Sequence, residues 1–304
     1  MQVLPTGMQV FERGWLSANN ILFIDPTCTV LVDSGYCTHA QQTLELVSHA
    51  LDGRPLDLLL NTHLHSDHCG GNAALQARYP DLETRIPPGE AQAVRTWDEE
   101  ALSYRPTGQS CPRFRFDGLL QPATSVMLGG RDWQVHAAPG HDPDSVMLFE
   151  PRSRCLLSAD ALWRNGFGVI FQELQGEDAF GDVAGTLDVI ESLAPAVVVP
   201  GHGAVFTDVR EAIDSARSRL AAYVSDPRKH AAHAAKVLLK FKLLEWQRVA
   251  RAEFIGWACA TPYFQRVQER YFAQRPMVEW LGSLLDGLVR SGAAAQAGDY
   301  VLNA

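Results

Sequence analysis

The chain has 304 residues, of which 46% are hydrophobic, and a formal net charge of −9. This length suits one large α/β domain with a small appendage, and the apolar fraction is that of an ordinary globular core. The negative net charge excludes the binding of polyanions through bulk charge alone.

The six cysteines form no CxxC pair and no dense framework, which favours a reduced, cytoplasmic setting. Residues 1–5 lack the basic and apolar regions of a signal peptide. No run approaches the ~20 apolar residues of a membrane-spanning helix. We therefore expect a soluble cytoplasmic protein with no membrane partner.

The N-terminal part predicts three short strands followed by a helix. Strands are expected over residues 8–16, 20–25 and 28–33, bounded by turn residues. Apolar residues at helical spacing then predict a helix over residues 38–51, with Gly53 as its stop signal.

An unusual cluster of ligating residues follows the next strand. Residues 56–60 are apolar and predict a short buried strand. His63, His65, Asp67 and His68 come directly after it. Ligating groups at the end of a buried strand cost stability unless something pairs with them. Because imidazole and carboxylate bind zinc and similar ions, a metal ion is the obvious partner.

The middle of the chain alternates further strands and helices. A strand is expected at residues 83–87 and an interrupted helix at 88–105, followed by a Pro/Gly/Arg-rich loop at 105–118. We expect this loop near the mouth of the site. Arg113 and Arg115 in it could meet an anionic substrate, although such arginines are more often solvated.

The second half repeats this arrangement. Strands are expected over residues 124–128, 132–138, 146–150, 155–158 and 196–199, and helices over 181–193 and 208–223. Three further ligating residues follow strand ends: His141 after Pro139-Gly140, Asp160 after residues 155–158, and His202 after Pro200-Gly201.

Together these motifs resemble the signature of the metallo-β-lactamase superfamily, over about residues 8–225. The resemblance implies an α/β fold, specifically an αββα sandwich of two sheets with helices outside. We expect a catalytic domain over residues 1–225. Residues 226–304 are expected to form a mainly helical, winged-helix-like extension.

The resemblance also implies how the ligands are shared between two divalent metal ions. His63, His65 and His141 would hold one ion, Asp67, His68 and His202 the other, and Asp160 would bridge both. Open coordination positions are typical of a catalytic site, and a hydroxide shared by the ions would be the nucleophile. Asp67 could also orient it. Asp33 would either lie beneath the site or serve as a turn residue after its strand. Zinc is favoured, with iron or manganese as alternatives.

Details of the motif indicate the branch of the family. Asp160 stands where antibiotic-hydrolysing members with a cysteine ligand carry that cysteine, whereas Cys69 is expected to be a small buried residue. The chain therefore resembles the glyoxalase II-like branch of thioesterases, lactonases and phosphodiesterases. Leu64 departs from the histidine of glyoxalase II enzymes, which weakens that specific activity.

We therefore predict a metal-dependent hydrolase that cleaves a small ester or thioester. One alternative is a nuclease or phosphodiesterase of the same fold. Another is an iron-dependent oxidoreductase of the persulfide dioxygenase type, which would use only the positions of His63, His141 and Asp160. A non-catalytic ligand sensor is a third.

Two further segments bear on the substrate. Trp163, Phe167 and Phe171 either wall an apolar substrate pocket or cover the edge of the sandwich. Residues 228–251 predict one amphipathic helix with seven Lys or Arg residues against a single acid, Glu245. A solvated face with a packing role is favoured for it. Binding of nucleic acid, of the phosphates of a CoA thioester, or of a second copy in a homodimer stays open.

Overall fold

A computed structural model describes residues 4–304, and two β-sheets pack face to face at its centre. The first sheet has the order β1-β2-β3-β4-β5-β6 and the second the order β11-β10-β9-β8-β7. The strands are β1 (Met8–Phe11), β2 (Asn20–Ile24), β3 (Thr29–Val32), β4 (Leu58–Leu60), β5 (Glu83–Ile86), β6 (Gly118–Leu119), β7 (Ser125–Leu128), β8 (Arg131–Ala137), β9 (Val146–Glu150), β10 (Cys155–Ala159) and β11 (Val197–Pro200).

Side chains of the first sheet alternate between two cores, as the pleat of a strand requires. Ile21 and Phe23 face the second sheet, where the Phe23 ring lies edge-on to Trp133 with ring centroids 5.3 Å apart. Leu22 points the other way and packs among Val47 and other residues of the flanking helices. Both faces of the sheet are therefore buried, which explains why its strands are nearly continuous apolar runs.

Helices cover the outer face of each sheet. The helices over the second sheet pack their apolar faces on the side chains that point outward from that sheet. The helices of this part are α1 (Ala40–Leu51), α2 (Ser66–Cys69), α3 (Asn72–Arg78), α4 (Ala91–Thr96), α5 (Tyr104–Thr107), α6 (Phe171–Gln175), α7 (Phe180–Leu193) and α8 (Val209–Ser225). The predicted αββα sandwich is thus confirmed.

The C-terminal segment is mainly helical and carries a small antiparallel sheet of order β12-β14-β13. The mainly helical character expected of this extension is confirmed, and its winged-helix-like nature stays a prediction. Its elements are α9 (Pro227–Trp246), β12 (Arg248–Ala250), α10 (Arg251–Ala260), α11 (Pro262–Tyr271), α12 (Met277–Arg290), β13 (Ala294–Ala297) and β14 (Tyr300–Asn303). The division into residues 1–225 and 226–304 stays a prediction.

The prediction of one helix over residues 228–251 is wrong. Helix α9 ends at Trp246, and Gln247 has a left-handed φ of 62°. Residues 248–250 then form the edge strand β12, which pairs with the central strand β14. Helical periodicity cannot reveal this pairing, because the partner strand lies about fifty residues further along the chain. Strand β1 is also shorter than expected and ends at Phe11.

One of the basic residues of α9 is paired with an acidic residue of the same helix. Lys242 is buried, and its Nζ lies 2.6 Å from Oε2 of Glu245 and over the rings of Trp246 and Trp257. The same Glu245 oxygen accepts a hydrogen bond of 3.1 Å from the Tyr36 hydroxyl. This ion pair therefore ties α9 to the loop that follows β3. No helix in residues 4–304 is both long and apolar enough to cross a membrane.

Replacing Glu245 by Ala should leave the Lys242 ammonium buried without a carboxylate and lower the free energy of unfolding by about 3 kcal/mol. Chemical denaturation followed by circular dichroism measures this loss. Glu253→Ala is the control, because Glu253 is exposed and its removal should change little. Equal stability of both variants would contradict the buried ion pair.

Candidate metal centre

Loops and turns at one edge of the sandwich carry all the side chains that the sequence predicts as ligands. They follow β4, β8, β10 and β11, or lie on the one-turn helix α2. The structure brings together His63, His65, Asp67, His68, His141, Asp160 and His202. Placing site residues on loops that a rigid scaffold positions is common in enzymes.

Three histidines form the first group. One ligand atom each of His63, His65 and His141 lies within 4.8 Å of the other two. Nδ1 of His65 is 2.7 Å from Nε2 of His141. Nδ1 of His141 donates to the Val169 carbonyl oxygen at 2.6 Å. The lone pair of this ring is therefore on Nε2, where it can coordinate a metal ion.

Two carboxylates and two histidines form the second group. Ligand atoms of Asp67, His68, Asp160 and His202 also lie within 4.8 Å of one another. Nε2 of His202 lies 3.0 Å from Oδ2 of Asp67. Asp160 reaches both groups, since its Oδ1 is 3.4 Å from Nε2 of His68 and its Oδ2 is 3.4 Å from Nε2 of His141.

The backbone around Asp160 is unusual. Ala159, the last residue of β10, has a φ of 47°, and the register with β11 shifts between Leu157 and Ala159. A non-glycine residue in this region is strained, and such strain often marks a functional site. Gly201 is equally constrained, because a Cβ there would collide with Oδ1 of Asp160. This geometry turns the Asp160 carboxylate toward the histidines.

Asp33 lies beneath His68, as the family resemblance implies. Its Oδ2 accepts a hydrogen bond of 2.7 Å from Nδ1 of His68. The Thr62 backbone N–H and hydroxyl donate to the same carboxylate at 2.9 and 2.7 Å. A carboxylate on the far nitrogen of an imidazole fixes the tautomer that presents Nε2 as a ligand.

Asn19 is a supporting residue that the sequence did not reveal. Its side-chain amide donates to the carbonyl oxygens of Pro200 and Gly203 at 2.9 and 2.8 Å. The backbone N–H of Ala18 donates to the carbonyl oxygen of Asp67 at 2.9 Å. The loop before β2 therefore joins the segments that carry Asp67 and His202. No motif marks it, since its partners lie about 180 residues away.

The electrostatics keep the first group neutral. Burial lowers the pKa of His63 well below its ordinary value of 6.5. Burial likewise lowers the pKa values of His65 and His141 to about 4, with a further repulsive contribution of His65 to His141. All three rings are therefore neutral at neutral pH, which is the form that coordinates a metal ion.

In the second group, charge interactions outweigh burial. Burial raises the pKa of Asp160, but His202, His68 and His141 lower it more, so the net shift is well below 3.8. Burial also raises the pKa of Asp67, but the hydrogen bond from His202 and other charge interactions lower it more, so its pKa is below 3.8. Both side chains are carboxylates at neutral pH. Burial lowers the pKa of His68, but the Asp33 and Asp160 carboxylates raise it more, to well above 6.5. A cation bound there would therefore displace a proton from that ring.

Several buried nitrogens of the cluster are consistent with metal ligation. Within residues 4–304, Nε2 of His63 and Nε2 of His68 are buried and have no hydrogen-bond partner. Leaving such atoms unpaired costs about 1–3 kcal/mol each. Cys69 is not part of either group, since its Sγ contacts the Leu64 carbonyl oxygen and the Tyr104 hydroxyl at 3.3 and 3.2 Å. Imidazole and carboxylate donors without thiolate fit divalent ions such as zinc, iron or manganese.

The two groups open on a cleft with aromatic walls. Trp163 and Phe171 line it, together with the half-exposed Trp15, whose ring stacks on His202 with centroids 5.4 Å apart. Phe167 is instead buried in the core beneath. Trp163 is fixed in place, because its indole N–H donates to Oδ1 of Asp160 at 3.2 Å.

The loop over residues 105–118 reaches the cleft only in part. Thr107 and Gln109 line the cleft. Arg113 and Arg115 instead donate to the carbonyl oxygens of Arg95 and Pro80, at 3.1 and 2.9 Å. The loop therefore lies at the mouth of the cleft as expected, but its two arginines bind carbonyl oxygens at the protein surface and do not line the cleft.

The sequence model of the metallo-beta-lactamase superfamily matches residues 13–202, and the chain belongs to this superfamily. A solved beta-lactamase domain protein from Burkholderia ambifaria superposes with a TM-score of 0.61 at 20% identity. That alignment covers 100% of this chain and 94% of the other, so the shared fold includes the C-terminal segment.

Curated relatives include hydrolases. Hydroxyacylglutathione hydrolase from Synechococcus sp. (strain JA-3-3Ab) is 31% identical over 150 residues, which are 48% of this chain and 49% of the relative. Atrochrysone carboxyl ACP thioesterase from Aspergillus fumigatus is 27% identical over 190 residues, 61% of this chain and 37% of that protein. The chain thus spans about half or less of the length of these relatives.

Metal content tests the two groups separately. We expect about two equivalents of divalent metal per chain in the wild-type protein, by mass spectrometry of the metals. Replacing His68 or His202 by Ala should remove about one equivalent, because each change deletes a ligand of the second group only. His49→Ala, at an exposed position, should keep both. Retention of both metals in the His68 and His202 variants would refute the ligand assignment.

Proposed function

We propose that this protein is a metal-dependent hydrolase that cleaves a small ester or thioester. In this proposal His63, His65 and His141 hold one divalent ion and Asp67, His68 and His202 hold the second. Asp160 is shared between them. Zinc is the favoured metal, with iron or manganese as alternatives.

One observation carries the proposal: two ligand groups lie side by side, and Asp160 reaches both from the floor of a single aromatic cleft. A structural metal site is closed by its protein ligands, whereas a catalytic site faces a space that a substrate can enter. His65, Asp67 and His202 all line the cleft, which favours a catalytic site over a structural one.

The chain's own residues suit hydrolysis. Two metal ions bound there would lower the pKa of a bound water and polarise a carbonyl oxygen. Asp67 is ionised and faces the cleft, so it can accept a proton from the attacking water. The water oxygen bonds to the carbonyl carbon, the carbon–sulfur or carbon–oxygen bond breaks, and the leaving atom takes a proton. Trp15 and Trp163 wall the cleft on one side.

The relatives support an ester or thioester bond, since those named above are a hydroxyacylglutathione hydrolase and an ACP thioesterase. The presence of Asp67, His68 and His202 beside the first group favours two metals over the single iron of a persulfide dioxygenase. We propose a small-molecule substrate and, because all six cysteines are free, a reducing, cytoplasmic compartment. A homodimer and nucleic-acid binding stay untested predictions.

A substrate screen tests this function. Zinc-loaded protein should hydrolyse acyl thioesters or lactones with a kcat/KM at least about 10²-fold above that for bis-p-nitrophenyl phosphate, because the cleft discriminates between transition states. Asp67→Asn should lower kcat by about 10²-fold, with metal content measured on the same sample. His49→Ala should match the wild type.

Other outcomes would assign a different function. Faster cleavage of the phosphodiester, or of single-stranded oligonucleotides with inhibition by salt, would indicate the nuclease alternative. About one iron per chain with oxygen consumption would indicate the oxidoreductase.

A further inference from the structure

A second groove continues from the metal cleft along helices α8 and α9. Trp15, Trp163, Val169, Val237 and Phe241 line both spaces, so the two are continuous. We call the second space the α8–α9 groove. Its remaining lining residues are Asn165, Phe167, Arg219, His233, Lys236, Lys240, Leu244 and Leu288. The half-exposed Val237 lies at the junction, so an apolar wall runs without a break out of the cleft.

Two cations in this groove have no carboxylate partner. The ion pairs of residues 4–304 engage Arg217, Lys229 and Arg164 on the surrounding surface, but none of them includes Arg219 or Lys236. In a chain with a net charge of −9, two unpaired and half-buried cations beside apolar side chains are unusual.

Their neighbours do not neutralise this positive charge. His233 lines the same groove, and its pKa falls to about 4 through burial and through repulsion by Arg219 and Lys236. Lys240, by contrast, is fully engaged. Its Nζ donates to the main-chain oxygens of Ala293 and Ala304 and to Oδ1 of Asn303, at 2.6 to 2.9 Å. Arg219 and Lys236 are therefore the groups available to an anion.

A short loop connects this positive end to the metal centre. The guanidinium of Arg219 packs on Gly166, where a Cβ would lie 2.5 Å from Nη1. The carbonyl oxygen of Gly166 accepts a hydrogen bond of 2.6 Å from the Trp163 backbone N–H. Trp163 in turn donates to Asp160. The loop therefore contacts Arg219 at one end and Asp160 at the other.

We propose that the α8–α9 groove binds the thiol arm of a phosphopantetheine thioester, with Arg219 and Lys236 on its phosphate. The inference rests on the proposed thioester hydrolysis. A phosphate matches two adjacent cations, one of them a guanidinium that binds phosphate in bidentate fashion. A simple acyl chain would leave these cations unpaired. A glutathione peptide offers carboxylates instead of a phosphate, and titration of S-ethyl-glutathione separates the two.

Hydrolysis of such a thioester is balanced without any co-reactant. Water adds its oxygen to the acyl carbon, and the carbon–sulfur bond breaks. The acyl group leaves as a carboxylic acid, and phosphopantetheine leaves with a free thiol that carries the remaining proton.

Binding of uncleavable thioethers tests the inference without requiring turnover. The probes are S-ethyl-pantetheine, S-ethyl-4′-phosphopantetheine and S-ethyl-CoA, titrated into the metal-loaded full chain by calorimetry. The phosphorylated arm should bind about tenfold or more tightly than the unphosphorylated arm, because it gains charge-assisted contacts. S-ethyl-CoA binding tighter still would identify CoA as the source, whereas equal binding of both phosphorylated probes would indicate a carrier protein.

Variants make the test specific. The double variant Arg219→Gln with Lys236→Gln keeps apolar stems in the groove. It should abolish the preference for phosphate and leave the Kd of S-ethyl-pantetheine unchanged. Lys229→Gln, on the same helix but outside the groove, should behave as the wild type. Unfolding temperatures of all variants verify that they are folded.

Equal binding of the phosphorylated and unphosphorylated arms would overturn the inference, even if thioesters are hydrolysed. So would equal weakening of S-ethyl-glutathione by the double variant, since the cations would then bind peptide carboxylates. Failure of every thioester and lactone in the hydrolysis screen would instead contradict the proposed function, because calorimetry with uncleavable probes reports binding alone.

Discussion

The need to compensate buried imidazoles and carboxylates at one sandwich edge is the constraint on which the rest of the structure depends. Nε2 of His63 and Nε2 of His68 are buried and have no hydrogen-bond partner in residues 4–304, and the ionised Asp160 lies between the two groups. Leaving buried polar nitrogens without a partner is unfavourable. Under the proposed function, two cations would accept the lone pairs and balance the carboxylates.

The scaffold supports this centre with many polar contacts of its own. Asp33 and Thr62 hold His68 from below, and Asn19 ties together the loops of Asp67 and His202. Strained backbone at Ala159 and close packing at Gly201 aim Asp160. These contacts involve residues that never face the cleft. They hold the ligands in place before a substrate arrives, which is what a catalytic site requires.

Much of the fold, and the meeting of the seven candidate ligands at one edge, could be predicted, because the information is local. Apolar runs that end in His63, Asp160 or His202 mark strand ends directly in the sequence. Contacts between distant segments could not be predicted in this way. The break of α9 at Gln247 depends on a strand that pairs with residues 248–250 from far along the chain. The role of Asn19, and the approach of Arg219 to Gly166, likewise appear only once the chain is folded.

The C-terminal segment extends this account beyond the sandwich. Helix α9 contributes Val237 and Phe241 to the cleft and Lys236 to the adjoining groove, so the segment that lies outside the matched family region shapes the space around the centre. The central claim, however, concerns the two cation positions themselves. Anomalous X-ray diffraction at the zinc absorption edge, from crystals grown with zinc, tests it most directly. The account predicts two peaks, one against His63, His65 and His141 and one against Asp67, His68 and His202, both in contact with Asp160. A single peak, or peaks away from these side chains, would contradict it.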